Sequence, residues 1–521
     1  LNPQTTRQFL ADESGDSAPG AGTVSVALAY PNRYGVGMAS LGFLLVRQAL
    51  RDEGLRVERA FHDDWGAATL ESGRALAGFD LLAFSVAYEL DYLHILQMME
   101  AAGAPIWAEK RGAGWPLVAV GGVAALVNRH PLYPFVDVLL HGESEAILPG
   151  FTSRLRENPG FRDNAEERRA VLRKLDGLPG VEITDGARVA AGMDAGERPR
   201  LFAGREPRGW GDTPPLPPIE PARVADLTGF PLASRLVTPR AELGRRVLAE
   251  LSRGCAHRCA FCWVGHNCRD HAPRAAGEIL AQCEEAFGRT GCDSVGLIAA
   301  CVGAHPEIDF ICEELLRRER RISFSSLRAE ELRPVMLEAL ARSGQRGLTL
   351  APEVGGEARR RRLAKAVGDD AFLDAVDRSQ VAGLPDVKLY FMTGLPDETD
   401  EDALDIVEFT DRIRRVMLSR GRERGSLGAL SVNLGVFVPK PGAPLGWRGT
   451  PDWAVVRKRV GVLTKRLARL PNTRVAAPSV DLAVAQHVLS NGGFESAAFL
   501  LEVFKDQGNW RPAARARARG K

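Results

Sequence analysis

Cys255, Cys259 and Cys262 stand in the run Cys255-Ala-His-Arg-Cys259-Ala-Phe-Cys262, close enough for one loop to turn three thiolates toward one metal centre. A cubane 4Fe–4S cluster has four irons and is usually held by four thiolates. Three ligands on one loop therefore leave one iron open to bind a substrate or cofactor. Cysteine also packs as a small apolar residue, so three unrelated buried cysteines are the competing reading. Chance placement at this spacing, directly after an apolar run and Gly254, is rare. All eight cysteines lie between Cys255 and Cys312. A secreted disulfide framework would spread its pairs across the fold, and a chain of this size does not need one. Clustering points instead to metal or cofactor chemistry in a reducing compartment. Cys268, Cys283, Cys292, Cys301 and Cys312 have no compact ligand spacing and are expected as buried small residues, Cys268 being the best exception. His257 and His266 flank the loop and are expected to make local hydrogen bonds or face solvent.

These residues need a scaffold. From about 245 to 444, strand and helix signals alternate. Strands are expected at 247–251, 295–298, 322–325, 347–350, 387–391 and 431–438, with helices at 277–289, 308–317, 330–341, 369–381 and 401–416. Repeated βα units of this kind form a full or partial barrel. A further amphipathic helix is expected at 453–470. Earlier in the chain, apolar strands at 24–30, 81–86, 115–120 and 136–140 alternate with helices at 39–53 and 90–102. That pattern argues for a doubly wound parallel sheet, whose ligands sit at the carboxyl ends of its strands. The α/β fold is thus expected as a doubly wound domain over 22–151, a linker with local structure over 152–243, a barrel over 244–450 and a helical region over 451–505. A basic tail follows over 506–521, disordered from 511. Prolines crowd 210–221, excluding helix and central strand there.

On these motifs the chain resembles the radical SAM superfamily, whose cysteine pattern has the same two gaps and an aromatic, here Phe261, before the third cysteine. The resemblance implies that the open iron binds S-adenosylmethionine (SAM). Reduction then cleaves SAM to methionine and a 5′-deoxyadenosyl radical that abstracts a substrate hydrogen, with the protein positioning and shielding the cofactor. It implies an electron donor such as flavodoxin or ferredoxin. Further segments match in order. Ser323 to Arg328, including Ser325, resembles the strand end near the SAM ribose. Leu350-Ala-Pro-Glu353, with Gly355-Gly-Glu357, is similar to a segment whose first acid contacts SAM. Lys388 to Pro396, then Glu398 to Asp402, resembles the late strand bordering the adenine, and Phe437 to Pro444 the segment that ends the barrel. Many relatives carry Gly-Gly-Glu after the second strand to hold the SAM amino group. This chain has Ala300-Cys-Val-Gly303 near that place, so the contact must come from backbone or another residue.

A doubly wound domain ahead of such a barrel resembles the cobalamin-binding subclass, in which the carboxyl ends of the sheet hold the corrinoid's lower face and tail. Matching features are Ser85, Gly121 with Gly122, and Gly142, each at the end of an expected strand. Serine can hydrogen-bond the tail, and glycine permits close approach of backbone to a bulky ligand. The usual Asp-x-His-x-x-Gly loop after the first strand is absent. Pro31 to Met38 has no histidine, so that loop supplies no ligand to cobalt.

Three functions fit this reading: cobalamin-dependent methylation of an unactivated carbon, a cobalamin-free radical SAM cyclisation or rearrangement, and an iron–sulfur sensor or RNA-binding protein without turnover. The last rests on Arg359–Arg362 and the basic residues Arg515, Arg517, Arg519 and Lys521. Such runs are usually solvated, and no aromatic-rich reading surface accompanies them. A formal charge of +2 over 521 residues gives no whole-chain field toward nucleic acid or membrane. No apolar stretch is long enough to span a bilayer. The polar start has no basic and apolar signal pattern, so a cytoplasmic location is the expectation.

Overall fold

The computed structural model describes residues 3–62, 67–194, 215–447 and 449–519. They form two compact units. The first is Leu1–Arg246 with Gly288–Cys292 and Val488–Ala513; the second is Val247–Phe287, Asp293–His487 and Ala514–Lys521.

The first unit is built on six strands: β1 (Ser25–Tyr30), β2 (Arg56–Phe61), β3 (Leu81–Ser85), β4 (Leu117–Gly121), β5 (Val138–Leu140) and β6 (Val181–Ile183). Their order is β2-β1-β3-β4-β5-β6. The first five are parallel and β6 runs antiparallel to β5. β1 is buried along its whole length, as continuous apolar runs in a doubly wound sheet demand. The chain crosses from one side of β1 to the other after β2, which sets the topological switch point between β1 and β3. Helix α1 (Leu41–Asp52) starts where the Ser40 hydroxyl accepts from the Phe43 N–H. Helix α2 (Tyr92–Ala101) follows β3.

Two boundaries differ from expectation. The segment expected as a linker is largely part of this unit. It supplies the last residues of α3 (Ser144–Arg156), all of α4 (Ala165–Leu175) and β6, and the ladder of β6 against β5 requires it. A strand was also not expected at β2, because Arg56, Glu58 and Arg59 break the apolar run. Burial there is stabilised by ion pairs: Arg59 meets Glu13 at 2.7 Å and Glu71 at 2.6 Å, while Glu58 accepts from Thr69 at 2.7 Å. Of the proline-dense run 210–221, residues 210–214 lie outside the described residues.

The second unit carries seven parallel strands. They are β7 (Val247–Glu250), β8 (Ser294–Ile298), β9 (Arg321–Phe324), β10 (Gly347–Glu353), β11 (Asp386–Thr393), β12 (Leu430–Val436) and β13 (Thr473–Ala476). They form two ladders, β9-β8-β7 and β10-β11-β12-β13, with none joining β9 to β10 among the described residues. This is the partial-barrel alternative. Helices follow the strands, among them α5 (Ala276–Thr290), α6 (Ile308–Arg317), α7 (Pro334–Arg342), α8 (Glu357–Arg362), α9 (Asp369–Val381) and α10 (Asp400–Arg424). α10 is delimited as its sequence dictates, by a capping box of Thr399 and Asp402 and by Gly425 in the left-handed region at φ 74°.

The helical region expected after 450 divides. α11 (Trp453–Leu467) and β13 belong to the second unit, where β13 extends the sheet beyond β12. α13 (Glu495–Lys505), reached through α12 (Val480–Asn491), belongs to the first, where Asn128 donates to the Leu489 and Gly492 carbonyls at 2.7 and 2.8 Å. The tail from 511 is not irregular where it is described. Helix α14 (Trp510–Ala518) forms, and it buries Ala513 and Ala514. Its alanines have high helix propensity, and its arginines were misread as a sign of disorder. Among the described residues no helix is long and apolar enough to cross a membrane.

Candidate active site

The cysteine loop leaves the carboxyl end of β7. Ser252–Arg253 pairs antiparallel with Ala272–Pro273, which pins the loop at both ends. Gly254 makes the turn at φ 76°; a Cβ there would lie 2.3 Å from the Arg269 carbonyl oxygen. A side chain is excluded immediately before Cys255 for that reason. Cys262 N–H donates to the Cys259 carbonyl at 3.0 Å, and the Ala260 N–H to the Leu363 carbonyl at 2.9 Å. Phe261 packs on an apolar cluster of Val354, Leu363, Leu395 and Phe437, anchoring the loop between its second and third thiols. His266 makes a local hydrogen bond, as expected, donating from Nε2 to the Cys259 carbonyl oxygen at 3.2 Å.

The three thiols carry no disulfide. Arg328, one turn beyond β9, donates from Nη1 to the Cys259 sulfur at 3.7 Å. Burial pushes the Cys255 and Cys259 thiols up from the ordinary thiol value, and the Arg328 guanidinium opposes it at both. The Lys365 ammonium acts with it at Cys259. Cations facing a thiol set are the electrostatics that metal-bound thiolates need.

Glu353 ends β10 in an unusual way. The β10–β11 register shifts between Leu350 and Glu353, because Pro352 has no N–H to give to the ladder. Glu353 itself stands at φ 69°, a left-handed conformation uncommon for glutamate. The bulge re-aims its carboxylate, which Lys365 Nζ holds at 2.8 Å while also donating to the Ala351 carbonyl at 2.7 Å. A cavity of about 580 Å³ opens where β9 and β10 lack a ladder, lined among others by Ser323, Ser325, Thr349, Glu353 and Tyr390. It brings two of the expected SAM residues, Ser325 and Glu353, to one space. The Ser325 hydroxyl already accepts from the Ala299 N–H at 3.0 Å and donates to the Ala299 carbonyl at 2.9 Å. Arg328 does not line that cavity and instead faces the cysteine loop.

The other expected segments have structural work. Gly355 permits the close approach of α10, since a Cβ would lie 2.1 Å from the Asp405 carbonyl carbon. Glu357 accepts from the Asp369 N–H at 3.2 Å. Glu398 is buried and accepts from Thr393 Oγ1 and the Gly394 N–H at 2.8 and 2.7 Å. Cys283 and Cys312 are buried and pushed up to about 12 by desolvation, as inert core thiols. Arg359 and Arg360 are buried rather than solvated: Arg359 meets Asp402 at 2.7 Å, and Arg360 meets Asp369 and lies over the Phe372 and Phe409 rings. Half of that run is thus internal scaffolding, while Arg361 and Arg362 stay exposed beside Glu357 and Asp402.

In the first unit, Ser85 and Gly121 are register partners at the carboxyl ends of β3 and β4. Gly122 at φ 114° would place a Cβ 2.2 Å from the Val86 carbonyl oxygen. Gly142 at φ 131° would place one 2.1 Å from that of Ala222, with which it forms a parallel bridge. The chain's own backbone therefore accounts for both glycines. Gly121 is different: a Cβ there meets only the Leu140 side chain at 3.4 Å and backbone at 3.6 Å. Sequence reasoning passed over a histidine pair at this edge. His62, just after β2, stacks on His94 of α2 with centroids 4.0 Å apart, and His94 Nδ1 lies 2.7 Å from the Pro31 carbonyl oxygen. They sit far apart in sequence, and the parallel order β2-β1-β3 brings them together.

Residues 57–183 match the family described as radical SAM proteins, N-terminal, and residues 249–410 match the radical SAM superfamily. An uncharacterized protein of Methanocaldococcus jannaschii is 23% identical over 420 residues, spanning 80% of this chain and 78% of its own. The ribosomal protein uS12 methylthiotransferase of Frankia alni is 26% identical over 203 residues, 37% of each chain. The radical SAM methyltransferase TsrM of Kitasatospora setae, solved with cobalamin and a 4Fe–4S cluster bound, superposes with a TM-score of 0.56 at 16% identity. That superposition covers 95% of this chain and 99% of TsrM. The same enzyme with tryptophan substrate and a SAM analogue gives 0.53 at 15% identity. A cysteine loop at the first barrel strand, the ordered barrel segments behind it and the doubly wound sheet ahead of it thus have one explanation: the chain is an enzyme of the radical SAM superfamily, with the fold found in a cobalamin-bound member.

Proposed function

We propose that Cys255, Cys259 and Cys262 hold a 4Fe–4S cluster, that SAM binds its open iron, and that the enzyme transfers a methyl group to an unactivated carbon with cobalamin as carrier. The observation that carries the proposal is the loop itself: three unpaired thiols leaving the first barrel strand, with Arg328 donating to Cys259. The donor set fits the cluster, because three soft thiolates beside cations match iron–sulfur ligation. Bound there, the cluster supplies the electron that cleaves SAM, and cobalamin supplies a methyl carrier. An external reductant of the flavodoxin or ferredoxin kind must deliver that electron.

The chain's own residues prepare this chemistry. Arg328 stabilises negative charge on the Cys259 sulfur. Phe261 fixes the loop and covers one side of it with hydrocarbon. Glu353, oriented by Lys365, and Ser325 line a cavity of nucleoside size for the SAM amino and ribose groups. Ser85 and Gly121 are the residues that would border a corrinoid tail, Gly121 because its missing side chain leaves room on the β4 end. Localisation in the cytoplasm is part of this proposal, since an open iron site and free thiols need reducing conditions.

Anaerobic reconstitution with and without cobalamin, followed by mass spectrometry of products from SAM carrying a labelled methyl group, tests the proposal. Label entering a product only when cobalamin is present supports it. SAM cleavage with no methyl transfer and no corrinoid retained would replace it by a cobalamin-free hydrogen-abstraction reaction.

A further inference from the structure

One constellation beside the cysteine loop has no part in the function proposed above. His257 lies within the loop, Cys301 in the turn after β8, and Glu331 in the turn after β9. Three consecutive carboxyl-end loops thus converge, on the face where barrels of this kind keep their chemistry. The Cys301 sulfur lies 2.6 Å from Glu331 Oε2, and His257 Nε2 lies 2.7 Å from Glu331 Oε1. The three donor atoms all fall within 4.8 Å of one another. Cys301 is 3% exposed, unlike an incidental surface cluster.

The local sequence is built for this approach. Gly303 has no side chain where a Cβ would lie 2.6 Å from Glu331 Cβ and 2.8 Å from its carbonyl oxygen. The Val302 N–H donates to the Ser326 carbonyl at 3.2 Å, and the Glu331 N–H to that of Arg328 at 3.2 Å. The first contact joins the two turns, and the second closes the Glu331 turn on itself. His271 stands near enough to feel the charges of His257 and Glu331, and its buried Nε2 meets no hydrogen-bond partner among the described residues. A buried imidazole nitrogen without a partner, within electrostatic reach of two of the three potential ligands, is a further reason to look for a bound ion.

We propose that His257, Cys301 and Glu331 form a binding site for one divalent transition-metal ion of the zinc or ferrous kind, separate from the cluster of the cysteine loop. One imidazole nitrogen, one thiolate and one carboxylate are the donors such borderline ions select. Binding releases the Cys301 proton, and the thiolate and carboxylate together neutralise the ion's two positive charges. From ordinary Zn–S and Zn–O lengths, sulfur and oxygen sit about 3.5 Å apart on a tetrahedral ion. The side chains therefore open by about an ångström on loading. Three protein ligands leave a fourth position for water or a heteroatom of the substrate, as in catalytic zinc sites.

The test is an anaerobic titration of the cluster-loaded full chain with Co2+ as optical probe, independent of any SAM turnover. The expected result is a thiolate-to-cobalt charge-transfer band that saturates at about one equivalent. Cys301→Ser abolishes the band, and Glu331→Gln weakens cobalt binding at least about tenfold. Cys255→Ala/Cys259→Ala/Cys262→Ala, which has no cluster, keeps the band. Absence of any band in the folded wild-type chain would overturn the proposal. So would a band that survives Cys301→Ser but disappears in the triple-alanine chain, since the cobalt would then sit on the cysteine loop. Circular dichroism of each variant shows whether the fold is retained.

Discussion

Arg328 Nη1 donates to the Cys259 sulfur across 3.7 Å, joining the turn after β9 to the cysteine loop after β7. A cation hydrogen-bonded to a ligand thiolate favours the more negative, reduced form of a bound cluster. Arg328→Met is predicted to lower the midpoint potential of the reconstituted cluster. A tenfold change in a one-electron equilibrium is about 60 mV, and a shift of that order is expected. Arg328→Lys restores part of it. Spectroelectrochemical titration measures both, and an unchanged potential in Arg328→Met would show that the contact is only structural.

The glycines of the first unit separate packing from ligand binding. Gly142→Ala is predicted to destabilise the chain whether or not cobalamin is present, because its Cβ would meet the Ala222 backbone at 2.1 Å. Gly121→Val introduces bulk at the β4 end without that backbone collision. It is predicted to reduce corrinoid retention at least about tenfold while shifting the thermal midpoint less than Gly142→Ala does. Equal corrinoid retention in wild type and Gly121→Val would remove this edge as the binding place.

Asp137 neutralises the buried guanidinium of Arg111 at 2.9 Å, approaches Arg168 at 3.5 Å and accepts from the Val118 N–H at 2.8 Å. Asp137→Ala leaves an uncompensated charge in the first unit. Loss of about 3–5 kcal/mol of stability is predicted, read as a lower urea midpoint. A change under about 1 kcal/mol would mean that water reaches Arg111.

Acid should weaken both units. Burial holds His130 and His487 at about 4, each below the ordinary histidine value. His130 must stay neutral at Nε2 to accept from the Leu216 N–H at 3.0 Å. A folded-state value below the unfolded value of about 6.5 gives stability that is complete above that pH. It is lost progressively as pH falls toward about 4. Thermal midpoints across this window should therefore fall with pH, and His130→Asn should make the fall shallower. A flat profile in the wild-type chain contradicts the assignment.

Much of this molecule was legible in the sequence because its signals are local. A short apolar run such as residues 25–30, closed by turn formers, reads as an interior strand, and the cysteine spacing needs no distant partner to be recognised. β2 was missed because Arg59 is stabilised by Glu13 and Glu71, residues far from it in sequence. The packing need for Gly122 and Gly142 was hidden for a similar reason: the atoms that exclude their side chains belong to Val86 and Ala222. Arg359 and Arg360 looked like a surface run until Asp402 and Asp369 were placed beside them. His62 with His94, and Cys301 with Glu331, are invisible to motif reading, since parallel strands bring together loops that no spacing rule connects. The Pro352 bulge was readable in principle, because a proline without an N–H must interrupt a ladder at that residue.

The most direct test of the central claim is SAM consumption by the anaerobically reconstituted chain under a strong reductant, with Cys255→Ala, Cys259→Ala and Cys262→Ala in parallel. Wild type is predicted to bind about four irons and four sulfides and to convert SAM to 5′-deoxyadenosine or S-adenosylhomocysteine. Each variant is predicted to form neither product. SAM turnover that persists in all three variants, or a wild-type chain that binds no cluster, would contradict the account.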